Sequence, residues 1–391
     1  MEYNKLKEKV YSCIDSQVGK AFELNKYLFN NPELSHKEYL AYEKYLELLR
    51  NEGIEVEEKF LGLDTAFKAI IHEDKDSDIK IGILAEYDAL PDIGHACGHS
   101  ASGSLSFLAA LGLHKNKEYL KGNIYLFGTP GEEANGAKVD MADSGVFDDF
   151  SYVIMIHMSD KNQISSKILA LDALNFEFYG SPSHASASPW NGRNAVNGMT
   201  LFIHALDMMR QQLRDETRIH GTIKNGGSVP NIISDYAFCE YWFRYKKRDY
   251  LNEVVKMAHD AAEGCAKATQ TRVKISEATK SLDDLRPTPY SDSLIKDIYE
   301  NLGVEVDKGL VESLGSSDIG NLSYKCPALH PTISISDRPV STHTREFAQC
   351  ILTDKTKWAI DKGSKIIATY ILKSLYDDSI IENMRKDFER P

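Results

Sequence analysis

The feature that most constrains this chain is an apolar run that ends in a group of metal-binding side chains. The run Ile79–Ala85 predicts a buried strand, and the segment Glu86–His99 that follows it carries carboxylates, a thiol and imidazoles. In an α/β sheet, active sites form in the loops beyond the carboxyl ends of the strands. Cys97 and His99 stand two residues apart, so a short turn could direct both at one metal ion. The sequence therefore predicts a metal site beyond a buried strand.

Strand-like and helical segments alternate around this run, which is typical of an α/β layer sandwich with a largely parallel sheet. From about Ala170 the order changes to β-α-β-β-α-β, the ferredoxin-like order, and the α/β pattern resumes after Arg286-Pro-Thr-Pro289. We therefore expect an α/β domain in two pieces, residues 1–172 and 287–391, with an α+β domain inserted at residues 173–286.

Three local patterns give more detailed expectations. Ser35 followed by Glu38 predicts a capping box at the start of the second helix. Two later apolar segments, Tyr152–His157 and Ala328–Ser336, are each expected to form one continuous strand. Asp318 is expected to cap a helix through its side chain.

Size and charge narrow the class of protein. A chain of 391 residues exceeds the usual size of a single core, which favours two domains. The formal net charge of −12 argues against nucleic acid or an anionic membrane as a partner, because both reward basic patches. The polar N-terminal segment and the lack of a long apolar run predict a soluble, cytoplasmic protein, and the six scattered cysteines are read as free thiols.

Five side chains spread along the sequence are candidate metal ligands. They are Cys97, His99, Glu133, His157 and His343, with Asp88 as a supporting carboxylate. Thiolate, imidazole and carboxylate together suit zinc and comparable first-row ions, and five ligands exceed what one tetrahedral site needs. The surplus indicates two neighbouring ions, which could hold a shared hydroxide and polarise a carbonyl group.

The carboxylate pair Glu132-Glu133 follows a predicted strand, in the turn Gly128-Thr-Pro-Gly-Glu-Glu133. A general base must reach the attacking water without being tied up as a ligand. We therefore interpret Glu132 as the base and Glu133 as the ligand.

Together these segments resemble the M20 metallopeptidase family, and within it the amidohydrolase branch. The segment Ala85-Glu-Tyr-Asp-Ala-Leu-Pro91 with Gly94-His-Ala-Cys-Gly-His99 is most similar to the aminobenzoyl-glutamate hydrolase, Xaa-Arg dipeptidase and aminoacylase-like groups. The likeness runs from Asn31-Pro-Glu-Leu34 to His343-Thr-Arg-Glu-Phe347. It implies a zinc-peptidase-like three-layer α/β/α catalytic domain whose inserted domain serves as a lid and a dimerisation domain.

The resemblance also implies roles for individual residues. The five candidate ligands carry over as ligands of two divalent ions, zinc or manganese, with Glu132 as base and Asp88 orienting a ligand. In Gly180-Ser-Pro-Ser-His-Ala-Ser186, His184 takes the role of stabilising the oxyanion, and Asn231 and Arg244 are weaker candidates for contacting substrate. The implied assembly is a homodimer through the lid, or a larger oligomer.

The expected function is hydrolysis of the amide bond of a dipeptide, an N-acyl amino acid or an aryl-glutamate conjugate. Two other functions stay open: a hydrolase-like protein that only binds or regulates, and a thiol hydrolase with Cys97 as nucleophile and His95 or His99 as base. Structural roles are open as well, since His184 could brace the lid and Arg244 could pair internally with Glu240.

Overall fold

A computed structural model describes residues 2–307 and 315–390 of the chain. Contacts divide it into two units. The smaller unit comprises Ile168–Asp284 together with residues 315–317, and the larger one comprises the chain up to Lys167, from Leu285 and from Asp318 onward. The division into a catalytic domain and a lid at residues 172/173 and 286/287 stays a prediction. Within the described part of the chain, every helix is too short or too polar to cross a bilayer.

The strands, in chain order, are β1 (Glu55–Glu58), β2 (Phe67–His72), β3 (Lys80–Ala85), β4 (Asn123–Gly128), β5 (Tyr152–Ile154), β6 (His157–Ser159), β7 (Ala170–Tyr179), β8 (Arg218–Asn225), β9 (Tyr236–Tyr245), β10 (Arg272–Glu277), β11 (Ala328–Leu329) and β12 (Thr332–Ser334).

The α-helices are α1 (Tyr3–Asn30), α2 (Tyr39–Asn51), α3 (His99–His114), α4 (Ala137–Asp143), α5 (Ala195–Met209), α6 (Arg248–Ala268), α7 (Pro289–Asn301), α8 (Ile319–Leu322), α9 (Arg345–Cys350), α10 (Asp354–Tyr376) and α11 (Asp378–Phe388). Short 3₁₀ turns lie at Phe60–Gly62, Lys117–Tyr119, Pro189–Asn191 and Arg210–Gln212.

The larger unit is built on a six-stranded sheet in the order β1-β2-β4-β3-β5-β11. Its four strands β3, β4, β5 and β11 run parallel, and β1 and β2 join one edge antiparallel. Nearly all residues of β3 and β4 are buried, as expected for central strands of a parallel sheet covered on both faces. Helix α3 packs on β3, and α1 and α10 pack on α3. The predicted α/β fold class is confirmed.

Two segments expected to be continuous strands are each broken. Strand β5 ends at Ile154, and His157 begins β6, which pairs in parallel with β12 in a separate two-stranded sheet. The second break falls between β11 and β12 at His330-Pro331, where proline has no N–H to continue a ladder. The prediction of single strands was wrong, and the breaks place His157 and His330 just beyond the carboxyl ends of β5 and β11.

The smaller unit has the predicted β-α-β-β-α-β order. Its antiparallel sheet runs β10-β7-β9-β8, with α5 and α6 packed on it. Buried residues alternate along β9, so one face of the sheet forms the core. Strand β8 lies at the edge, and most of its residues are exposed.

Candidate metal centre

The centre of the site is the loop between β3 and α3. Gly98 has a φ of 98° at the N-terminus of α3, a left-handed conformation that favours glycine. A Cβ atom at this position would also lie 2.7 Å from the Met158 Cβ atom. The turn at Gly98 places Cys97 and His99 on either side of it, and both are buried.

The Cys97 sulfur lies among side chains from three other parts of the chain. Its Sγ atom is 3.5 Å from His157 Nε2 and 3.3 Å from His343 Nε2. His343 Nε2 lies in turn 3.7 Å from Glu133 Oε1. The side chain of His343 is 53% exposed, so the site meets solvent at this residue.

All five predicted ligands come together in the larger unit, in two groups that share one thiol. Cys97, His99 and His157 form one group and Cys97, Glu133 and His343 the other, with the ligand atoms of each group within 4.8 Å of one another. His99 Nε2 and Glu133 Oε1 are buried and have no hydrogen-bond partner among the described residues. Unpaired buried polar atoms beside a thiol and imidazoles fit a zinc-like ion. Their roles as ligands stay a prediction.

Asp88 connects the two groups from behind. Its Oδ1 atom accepts from His99 Nδ1 at 2.9 Å, and its Oδ2 atom accepts from the Glu133 N–H at 2.9 Å and the Ser35 hydroxyl at 2.8 Å. Burial alone would raise the pKa of Asp88, but His99 and these hydrogen bonds hold it well below its usual range. The predicted capping box was wrong, because Ser35 bonds Asp88 and α2 begins at Tyr39 without a side-chain cap from Glu38.

Glu132 lies beside the ligand groups. Its Oε2 atom is 3.8 Å from His99 Nε2, and its carboxylate forms a separate group with Glu86 and Asp318, again within 4.8 Å. Burial, and then the negative charge of Glu86, raise the pKa of Glu132 well above its usual value. Glu132 can therefore hold a proton more readily than an ordinary glutamate.

Glu86 and Lys138 were not assigned a role from the sequence. Glu86 is fully buried, with Oε1 2.8 Å from Lys138 Nζ and Oε2 3.5 Å from His99 Nε2. Burial would raise the pKa of Glu86, but Lys138 and the neighbouring imidazoles lower it to about 2. The signal in the sequence is the position of Glu86, directly after β3. Lys138 gave no such signal, because an ordinary helix position predicts a surface lysine.

His330 is a second residue that the sequence analysis missed. Its ring centre lies 5.6 Å from that of His157. The Ser166 hydroxyl donates to the His330 carbonyl oxygen at 2.8 Å, so the 3.0 Å contact of His330 Nδ1 with the same hydroxyl requires Nδ1 to carry the proton. Burial, and then His157, lower the pKa of His330 to about 3. Like His157, it directly follows an apolar strand, which was the available signal.

The surroundings of Cys97 argue against a thiol nucleophile. Burial raises the pKa of the Cys97 thiol well above its usual value, whereas an activated nucleophilic cysteine needs a lowered one. Among the proposed bases, His95 is buried and its pKa is lowered to about 4, mainly by burial.

The remaining predicted residues lie in the smaller unit. His184 Nδ1 accepts from the backbone N–H groups of Ser186 at 3.3 Å and Ala187 at 3.1 Å, so its proton resides on Nε2. The Asn231 carbonyl oxygen accepts from the Ala185 N–H at 3.0 Å, which joins the loops of His184 and Asn231.

Arg244 does not form the internal ion pair that was considered for it. Its Nη1 atom donates to Ser316 Oγ at 2.8 Å, and its guanidinium lies 5.4 Å from the centre of the Trp242 ring. Glu240 instead pairs with Lys224 at 3.1 Å and accepts from Trp242 Nε1 at 2.8 Å.

Comparison with known proteins gives consistent matches along the chain. Residues 171–269 match the family profile of the peptidase dimerisation domain. The chain is 30% identical to the Xaa-Arg dipeptidase of Mus musculus over 402 residues, covering 99% of this chain and 93% of the mouse protein. It is 26% identical to a p-aminobenzoyl-glutamate hydrolase polypeptide of Escherichia coli (strain K12), over 68% of this chain and 60% of that polypeptide.

A solved structure gives the same fold. The Bacillus subtilis YXEP protein, described as a dinuclear metal binding peptidase from the M20 family, aligns with a TM-score of 0.70 at 18% identity. The alignment covers 93% of this chain and 99% of the Bacillus protein.

Proposed function

Because the chain belongs to the M20 peptidase family, we propose that it is a metal-dependent amidohydrolase that cleaves the amide bond of a dipeptide, an N-acyl amino acid or an aryl-glutamate conjugate. The observation that carries this proposal is the arrangement around Cys97. Two groups of sulfur, nitrogen and oxygen ligands share this thiol, and a buried glutamate with a raised pKa lies next to them.

We propose that the two groups hold two divalent ions, zinc or manganese, with Cys97 common to both. His99 and His157 would complete one site, and Glu133 and His343 the other. Such ions polarise a carbonyl group and make water more acidic when bound. The mixed donor set suits zinc, although the ion that binds most tightly need not be the ion that works in the cell.

The histidine tautomers support this assignment. His99 donates from Nδ1 to Asp88, and His157 donates from Nδ1 to the Met158 carbonyl oxygen at 2.7 Å. Each ring therefore keeps its Nε2 lone pair free for an ion, and the partner on Nδ1 fixes the orientation of the ring. Burial lowers the pKa of His157 to about 4, which keeps that ring neutral near pH 7.

Glu132 acts as the general base in the proposed reaction. It takes a proton from the attacking water and later passes it to the leaving amine. A buried carboxylate with a raised pKa suits both steps, because it accepts the proton readily and can still release it. Glu133 is the neighbouring ligand, and its backbone N–H is held by Asp88.

We further propose that the smaller unit supplies substrate contacts. The Nε2–H of His184 is a free donor suited to the oxyanion, since the backbone occupies Nδ1. Arg244 and Asn231 are proposed to bind the substrate carboxylate, for which a guanidinium offers paired donors.

The preferred substrate is proposed to be a dipeptide with a basic C-terminal residue. The supporting observation is that the similarity to the Xaa-Arg dipeptidase extends over 99% of this chain. A net charge of −12 also favours the approach of cationic solutes over anionic ones.

The protein is also proposed to form a homodimer through the smaller unit. The match to the peptidase dimerisation domain supports this, as does the exposed edge strand β8. An unpaired strand edge is a surface that another chain can extend.

A hydrolysis screen read by mass spectrometry tests the proposed function. The purified protein is stripped of metal and then reconstituted separately with zinc and manganese. It is offered dipeptides ending in Arg, Lys or Glu, N-acetyl and N-benzoyl amino acids, and aminobenzoyl-glutamate. We expect metal-dependent cleavage, fastest for dipeptides ending in Arg or Lys. Cleavage of another group would correct the substrate. Filled metal sites without any cleavage would contradict the catalytic proposal and favour a binding or regulatory role.

A further inference from the structure

Lys138 is a fully buried lysine next to the proposed catalytic site. Its Nζ atom lies 2.8 Å from Glu86 Oε1 and 2.6 Å from Asp318 Oδ1, and the side chains of all three residues have no exposed surface. Lysine is rarely buried to this extent without a specific partner. The ammonium group therefore lies in a closed cluster with two carboxylates, outside the five-ligand set.

Asp318 holds Lys138 at both ends. Its Oδ2 atom accepts from the Lys138 backbone N–H at 3.1 Å, while its Oδ1 atom contacts the ammonium group. Gly136 makes this approach possible, since a Cβ atom there would lie 2.1 Å from Asp318 Oδ2. Asp318 thus caps the N-terminus of α4, which lacks a cap from its own N-cap residue, and does not cap the helix that follows it. The position of the ammonium group is consequently fixed by the backbone as well as by its charge.

The cluster reaches both the proposed base and one proposed ligand. The carboxylate oxygens of Glu86, Asp318 and Glu132 lie within 4.8 Å of one another, and Glu86 Oε2 lies 3.5 Å from His99 Nε2. Three carboxylates this close repel one another strongly where water is excluded. The ammonium group of Lys138 is the positive charge between two of them, so it offsets the repulsion that would move Glu86 and Asp318 apart.

We propose that Lys138 is a positioning residue for hydrolysis, which holds Glu86 and Asp318 together and thereby fixes the place of the Glu132 carboxylate beside His99. This inference rests on the proposed function, in which Glu132 is the general base. Lys138 does not touch substrate or ions in this account. It acts through the two carboxylates, and its removal should impair the chemical step more than substrate binding.

The test compares Lys138→Met with a matched control, Lys365→Met. Lys365 also bridges two carboxylates, Asp361 and Asp15, in the larger unit, and it belongs to none of the candidate ligand groups. For both variants, kcat, KM, metal content per chain and the melting temperature are measured after reconstitution with zinc. Because small displacements of a reacting group can cost about 100-fold in rate, we expect Lys138→Met to lose about that factor in kcat. KM and metal content should change little, and Lys365→Met should keep the wild-type kcat at a comparable loss of melting temperature.

A second variant separates positioning from simple charge compensation. Lys138→Met with Asp318→Asn removes one charge of each sign, so the net charge of the cluster is unchanged. Recovery of the melting temperature with kcat still low supports positioning. Recovery of kcat together with the melting temperature would overturn it, as would wild-type kcat in Lys138→Met alone. Glu132→Gln, measured in parallel, reports on the proposed function separately: if it is inactive while Lys138→Met is fully active, only the positioning role fails.

Discussion

Replacing Asp88 with asparagine should weaken metal binding by reversing the tautomer of His99. Asp88 accepts three hydrogen bonds: Oδ1 takes the Nδ1–H of His99, and Oδ2 takes the Ser35 hydroxyl and the Glu133 N–H. An asparagine that keeps the two donors on its carbonyl oxygen must turn its NH₂ group toward His99. The Nδ1 atom then has to accept, and the proton moves to Nε2, the atom proposed to bind the ion.

The size of the effect follows from the bond that is lost. A hydrogen bond to a charged group contributes about 1.5–3 kcal/mol. Since 1.4 kcal/mol corresponds to a factor of ten, metal affinity should fall by about 10- to 100-fold. Zinc affinity is measured by competition with a chelator of known affinity, and circular dichroism checks the fold. The control Ser35→Ala removes one neutral donor, leaves the His99 bond, and should cost much less. Wild-type zinc affinity in Asp88→Asn would refute the reasoning.

Three further outcomes are expected. His95 and His330 are buried with lowered pKa values of about 4 and about 3, so the unfolded state binds more protons below pH 6.5. The free energy of unfolding of the metal-free protein should therefore fall as pH decreases from about 6.5 to 4, and replacing both with glutamine should flatten this slope in urea titrations. Gly98→Ala forces a side chain into a left-handed turn and should lower zinc affinity, whereas the control Gly19→Ala, whose Cβ atom meets nothing within 4 Å, should keep it. Met208→Glu, at a side chain 74% exposed on α5, should weaken the proposed dimer in sedimentation experiments if that helix lies in the interface.

The order of strands and helices was largely readable from the sequence because hydrophobic periodicity encodes it. The pattern failed where other forces decided the outcome. Strand β1 has the sequence Glu-Val-Glu-Glu and is mostly exposed, so it carries no apolar signal. The break between β5 and β6 lies within an apolar run, where periodicity gives no sign of it. Ser35 shows that a local capping signature can lose to a distant partner, here Asp88.

The proposed ligands could be recognised from the sequence because each carries its chemistry in its own short motif. The cluster behind them could not. Glu86, Lys138 and Asp318 come from three distant parts of the chain, and nothing local indicates that an ammonium group and two carboxylates will meet in the interior. Their pairing depends on the packing of α4 against α8, which only the folded chain brings about.

The central claim is that Glu132 performs base catalysis beside ions held by the Cys97 groups, and its most direct test is the turnover of Glu132→Gln at a measured metal content. The substitution keeps the size of the side chain and removes its ability to take up a proton. The account predicts wild-type metal content per chain with kcat reduced by at least about 100-fold, the contribution expected of a general base. Near-normal turnover with both sites filled would contradict it.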